Sequence, residues 1–161
     1  MTSKTTPSPV LNSGQLLEHW QGHRALTRRV IEAFPEEAFF NHRIGGMRTF
    51  SDMCKELIAI AGPGMKEIAG GPVKSLNEDL DLGTEKKNFL EAWDETTEII
   101  NREWKKVSED RFQEVIVNFG LYEAPVWAAV LYYIDNEIHH RGQAYVYLRD
   151  LGIEPPNFWE R

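Results

Sequence analysis

The stretch from Ala124 to Asp150 constrains this chain more than any other. Pro125, near its start, lacks an N–H that a helix's first turn leaves unused, and Leu151-Gly152 beyond its end is a helix-stop pair. At 3.6 residues per turn the stretch predicts one helix of about seven turns. Val126, Val130, Tyr133, Ile134, Ile138, Tyr145 and Leu148 recur mostly at three- and four-residue steps, the apolar stripe of a helix packed into a bundle. Asn136, His140, Gln143 and Tyr147 fall on a neighbouring line, so an imidazole, two amides and a phenol share helix surface beside the core. That line is the first candidate for chemistry.

The rest of the chain supplies partners for this helix. Ser13 is placed to cap a helix from Gly14 to about Phe34, with Leu16, Trp20, Val30 and Ile31 on its apolar face and His23 beside them. Pro35 to Met47 reads as a connector. Thr49, with Asp52 three residues on, opens a second helix that Gly62-Pro63 should kink or interrupt. A polar loop from Gly70 to Gly83 leads to a third helix, capped by Thr84 and carrying Phe89, Trp93, Ile100 and Trp104. Ser108 to Glu123 is too rich in β-branched residues for helix and reads as an extended connection. These elements predict an all-α fold, a four-helix bundle with long crossover connections, in one domain over 13–161 behind a disordered tail, 1–12.

Composition narrows the function classes. The net charge of −7 and the absence of a Lys/Arg cluster oppose nucleic-acid binding, which requires many neutralised phosphates. No run of eighteen apolar residues is present, so no membrane span is expected. The only cysteine, Cys54, has apolar neighbours and reads as a core residue in a reducing, cytoplasmic setting.

The segment His139-His140-Arg141-Gly142-Gln143, followed by Tyr147-Leu148-Arg149, Gly152 and Pro155-Pro156, resembles the signature of the DinB family of metal-binding four-helix bundles. In that signature two histidines at i and i+4 on the last long helix are metal ligands, and a third lies on the second helix. Here His140 matches one, Asn136 stands in place of its partner, and Glu56 falls at the second-helix position, with Asp52 as the alternative. The resemblance therefore implies a divalent metal (Zn, Ni, Mn or Fe) held by Glu56, Asn136 and His140 as a Lewis acid. It also implies a thiol-dependent S-transferase or related hydrolase or isomerase, a low-molecular-weight thiol as substrate, a link to stress responses, and a homodimer. Gln143, Tyr147 and His23 are the candidates for orienting substrate. The alternative is a degenerate bundle that binds a small molecule, or serves as an interaction protein, without metal or catalysis. Amide is a poorer donor than imidazole to such metals, so both departures weaken the site. Arg141 reads as an interface residue or the partner of an acid, and Gly142, at a cost of about 1 kcal/mol of helix propensity, as a point of close helix approach.

Overall fold

The computed structural model describes residues 10–161; of the tail expected over 1–12, residues 1–9 lie outside them. Helix α1, Ser13–Ala33, is capped by Asn12 and not by Ser13. Asn12 Oδ1 accepts from the Gln15 amide (2.8 Å) while Gln15 Oε1 accepts from the Asn12 amide (3.0 Å), a reciprocal box that Ser13 could not make. The connector after it contains a short helix, α2 (Glu36–Asn41), whose Phe39 packs against Phe34, Phe50 and Phe89.

Thr49 caps α3, Phe50–Ile68, as its position predicts. Gly62-Pro63 does not interrupt the helix, and α3 continues through Pro63. A missing donor inside a helix removes one bond, and packing on both sides of the proline outweighs it here: Gly62 lies against Thr96 and Ile99, and Gly64 against Tyr133. Helix α4 is Lys86–Trp104, with Glu85 instead of Thr84 at the cap position. Its first N–H is satisfied from outside, by Glu36 Oε1 of α2 at 2.6 Å, so no local capping side chain is required.

The connection after α4 is extended, as its composition predicts, but its halves pair. Strands β1 (Val115–Asn118) and β2 (Tyr122–Pro125) form an antiparallel hairpin with Asn118 opposite Tyr122. Phe119 (φ 55°) and Gly120 (φ 70°) take the left-handed conformations that such a tight turn needs. Pro125 ends β2 and precedes α5, Val126–Asp150. Helix α5 stops in a Schellman turn: Gly152 has φ 74°, and the Ile153 amide donates to the Leu148 carbonyl at 2.8 Å.

The four long helices form a ring in which α5 packs on α1 and α3, and α4 packs on the same two, so α4 and α5 sit across the diagonal. The apolar core falls into two clusters. Trp20, Met65, Trp104 and Tyr133 belong to one; Phe34, Phe50, Phe89, Trp93 and Tyr147 belong to the other. Between them lies a layer of buried polar side chains. Cys54 is buried in the second cluster. Two expectations for α5 need correction: Ile138 is 38 % exposed, and Gly142 has nothing within 4 Å of where a Cβ would stand, so no helix approaches there. Among the described residues no helix is long and apolar enough to cross a membrane.

Gly64 and Gly142, both inside helices, give opposite predictions. A Cβ at Gly64 would stand 2.3 Å from the Tyr133 hydroxyl, so Gly64→Ala should cost about 1–3 kcal/mol through overpacking. Gly142→Ala should instead stabilise by up to about 1 kcal/mol. Thermal melts check both, with about 2–4 °C expected per kcal/mol.

Candidate functional site

The polar line on α5 meets α3 at Glu56. Asn136 Nδ2 donates to Glu56 Oε1 at 2.9 Å, and His140 Nε2 lies 3.2 Å from the same oxygen. Gln143 Oε1 accepts from His140 Nδ1 at 2.9 Å, which fixes the ring. Tyr147 donates its hydroxyl to the Arg48 carbonyl at 2.7 Å. Residues separated by a full turn on α5 thus form one connected strip, because steps of three and four keep side chains on one face.

Arg48, just ahead of the α3 cap, completes the arrangement. Its Nη2 donates to Glu56 Oε2 and comes within 3.5 Å of His140 Nε2. Together these contacts draw the Glu56 carboxyl down to about 2: the His140 hydrogen bond contributes most, burial opposes it, and Asn136 and Arg48 add to it. Glu56 is therefore a carboxylate at any physiological pH. Asp52 is not part of this group; its carboxylate accepts from the Thr49 hydroxyl at 2.7 Å within the α3 cap.

The donor chemistry of the group tests the expected metal. An ion about 2.0 Å from each donor places tetrahedral ligands about 3.3 Å apart, which the Glu56–His140 spacing matches. The rest of the set does not fit a tightly held ion. Asn136 turns its NH₂ toward Glu56, and the Arg48 cation already pairs with the carboxylate. Among the described residues no three His, Cys, Asp or Glu side chains are grouped to hold a metal.

Glu56 also forms one end of a cavity of about 300 Å³, near the lower limit for small-molecule sites. Ile60 of α3, Phe119 and Tyr122 of the hairpin, and Ala129, Tyr132 and Tyr133 of α5 line it, and Leu76 and Glu78 of the long loop lie across it. Burial raises the Tyr132 phenol above its usual range, and the negative charges of Glu56 and Glu78 act in the same direction. A neighbouring buried carboxylate, Glu67, holds the hairpin to α3. It accepts from Asn118 Nδ2 (2.8 Å) and from the amides of Phe119 and Lys74 (2.9 Å each).

His23 belongs elsewhere. Its Nδ1 lies 2.8 Å from Arg141 Nη2, and its Nε2 lies 3.0 Å from Arg161 Nη1 and 3.2 Å from His19 Nε2, so both ring nitrogens face guanidinium donors. Burial, reinforced by Arg141, drops the His23 pKa to about 3. His23 is thus a neutral acceptor within a buried network centred on Glu137, and none of its hydrogen bonds reaches Glu56. The Thr27 hydroxyl donates to Glu137 at 2.6 Å, and Arg24 and Arg141 flank it at 3.6 and 3.8 Å. Arg141 is accordingly the partner of an acid.

Arg48, Glu137, Arg24 and Tyr132 escape a reading based on motifs. Glu137 left a signal, a charged residue three after Ile134 and four before Arg141, inside the buried periodicity of α5. Arg48 left none, since only the tertiary fold carries it to Glu56.

The fold has counterparts. A model of the DinB family matches residues 1–161. The chain belongs to the DinB family. Among solved structures, a DinB-like protein from Bacillus cereus ATCC 10987 aligns with TM-score 0.72 at 16% identity, covering 89% of this chain and 95% of that one. A DinB-like protein from Bacillus subtilis aligns with TM-score 0.71 at 19% identity, covering 91% and 99%. At these identities the likeness establishes the DinB fold alone. No curated protein matches the chain.

Both perturbed groups make the protein acid-sensitive. His23, with its folded pKa below its unfolded value, contributes stability that is full above about pH 6.5 and lost as pH falls toward 3. Glu56 adds a loss between about pH 4.5 and 2. His23→Gln, which keeps an acceptor for Arg141, should flatten the stability profile between pH 6.5 and 4.5, and Glu56→Gln the acid limb below it. Urea unfolding at stepped pH separates the two.

Proposed function

We propose that this DinB-family protein is a small-molecule-binding bundle whose cavity ends on a metal-free Glu56–Asn136–His140–Arg48 network. The observation that carries this reading is the Arg48 guanidinium paired with Glu56 beside His140. A fixed cation there neutralises the carboxylate as a divalent ion would, and an incoming ion would have to displace it. The adjoining cavity provides what such a network can serve: a concave, largely apolar space with a few polar groups at one end. Asn136 and His140 keep Glu56 ionised and oriented, and Gln143 keeps His140 in place.

The metal-dependent thiol transferase implied by the family signature is the second reading, favoured by the 3.2 Å spacing of Glu56 Oε1 and His140 Nε2. It requires Arg48 to swing away and Asn136 to turn its oxygen inward. Small thiols that carry carboxylates would also meet the Glu56 and Glu78 side chains at the cavity.

Two measurements separate these readings. Dialysis against Zn²⁺, Ni²⁺, Mn²⁺ or Fe²⁺ followed by elemental analysis should leave less than one equivalent, unchanged by His140→Ala. Titration with tryptophol, a neutral aromatic alcohol, should shift amide resonances of the cavity wall saturably, and Ala129→Trp should abolish those shifts by filling the space. Stoichiometric metal that disappears in His140→Ala would overturn the metal-free reading.

A further inference from the structure

The charged residues that line the cavity are both acidic. Of its lining residues only Glu56 and Glu78 are ionisable to a full charge at neutral pH, and no Lys, Arg or His is among them. The two carboxylates have different settings. Glu56 lines the cavity and is held ionised by Asn136, His140 and Arg48. Glu78 lies exposed on the loop between α3 and α4. Between them the wall is aromatic and aliphatic: Phe119, Tyr122, Tyr132 and Tyr133, with Ile60 and alanines filling the remainder.

Aromatic faces carry negative potential and attract cations, more strongly where water is displaced. Carboxylates at the same cavity add to that attraction and oppose an anion of the same shape. An apolar wall favours a ligand with a hydrocarbon body. Resting on the small-molecule reading above, we propose that the cavity takes an organic ammonium ion with an aromatic or alkyl body, the ammonium drawn to Glu78 and the body held by the hairpin and α5. The alanines contribute to this selectivity. Ala124, Ala128 and Ala129 leave room for a ligand ring where larger side chains would fill the space.

Arg48 compensates Glu56 by pairing with its Oε2, and Glu78, which makes no ion pair among the described residues, is left as the uncompensated charge of the lining.

Three probes of one shape test the assignment on the full chain: tryptamine, a cation at neutral pH; tryptophol, with a hydroxyl in place of the ammonium; and indole-3-acetate, an anion. Calorimetry and amide shifts should rank tryptamine at least ten-fold tighter than tryptophol, with indole-3-acetate weakest. Glu78→Gln, an exposed substitution that leaves the core intact, should weaken tryptamine several-fold and leave tryptophol unchanged. Raising the salt concentration should weaken tryptamine alone. If tryptophol binds as tightly as tryptamine, or Glu78→Gln weakens both equally, the cation assignment is overturned while the small-molecule reading stands. If none of the three shifts the cavity resonances, both fall together.

Discussion

The burial of the Glu137 carboxylate is the constraint on which the rest of the bundle depends. Glu137 is 1 % exposed, and a bare charge at that depth is untenable unless the fold surrounds it with cations and donors. Arg24 and Thr27 from α1 and Arg141 from its own helix do so. Arg24 is held in turn: its guanidinium lies 3.4 Å above the Trp93 ring and donates to the Trp93 carbonyl and to Thr97. Three helices, α1, α4 and α5, are thereby fixed in one register, since a shift by one turn would strand a charge at a cost of about 3–5 kcal/mol. An all-apolar interface would tolerate such sliding more readily.

This polar layer explains the division of the core. Above and below it the helices meet through aromatic clusters that are large but adaptable, one around Trp20 and Trp104 and the other around Phe50 and Trp93. The layer between them specifies the alignment. With α5 fixed in rotation by Glu137 and Arg141, Asn136 and His140 face α3 and meet Glu56. The candidate site is therefore the second side of a helix whose first side is committed to structure. His23 and His140 illustrate the difference: one is kept neutral by a guanidinium at its Nδ1, the other sits between a carboxylate and an amide oxygen.

At the candidate site a carboxylate, an amide and an imidazole from α3 and α5 meet the Arg48 cation. A carboxylate flanked by an amide NH₂, an imidazole and a guanidinium is a fully satisfied polar cluster, and such a cluster needs no additional charge. What it leaves unfilled is the adjoining cavity, whose aromatic and acidic lining has a recognition chemistry of its own.

The sequence by itself determined the all-α architecture, the Thr49 cap, the stop after Asp150 and the strip Asn136–His140–Gln143–Tyr147. Each of these depends on spacing along a single helix or on one local hydrogen bond. Tertiary structure decided the rest, for reasons visible at particular residues. Glu36 from another helix caps α4, so Thr84 was not needed there. Packing of Gly62 and Gly64 carries α3 through Pro63, and the Glu67 carboxylate holds the turn that converts an extended connection into a hairpin. Arg48 joins His140 although 92 residues separate them, and no periodicity encodes that meeting. Local spacing is written in the chain because a helix repeats it. The convergence of side chains from different helices arises only when burial and charge pairing select one packing among many.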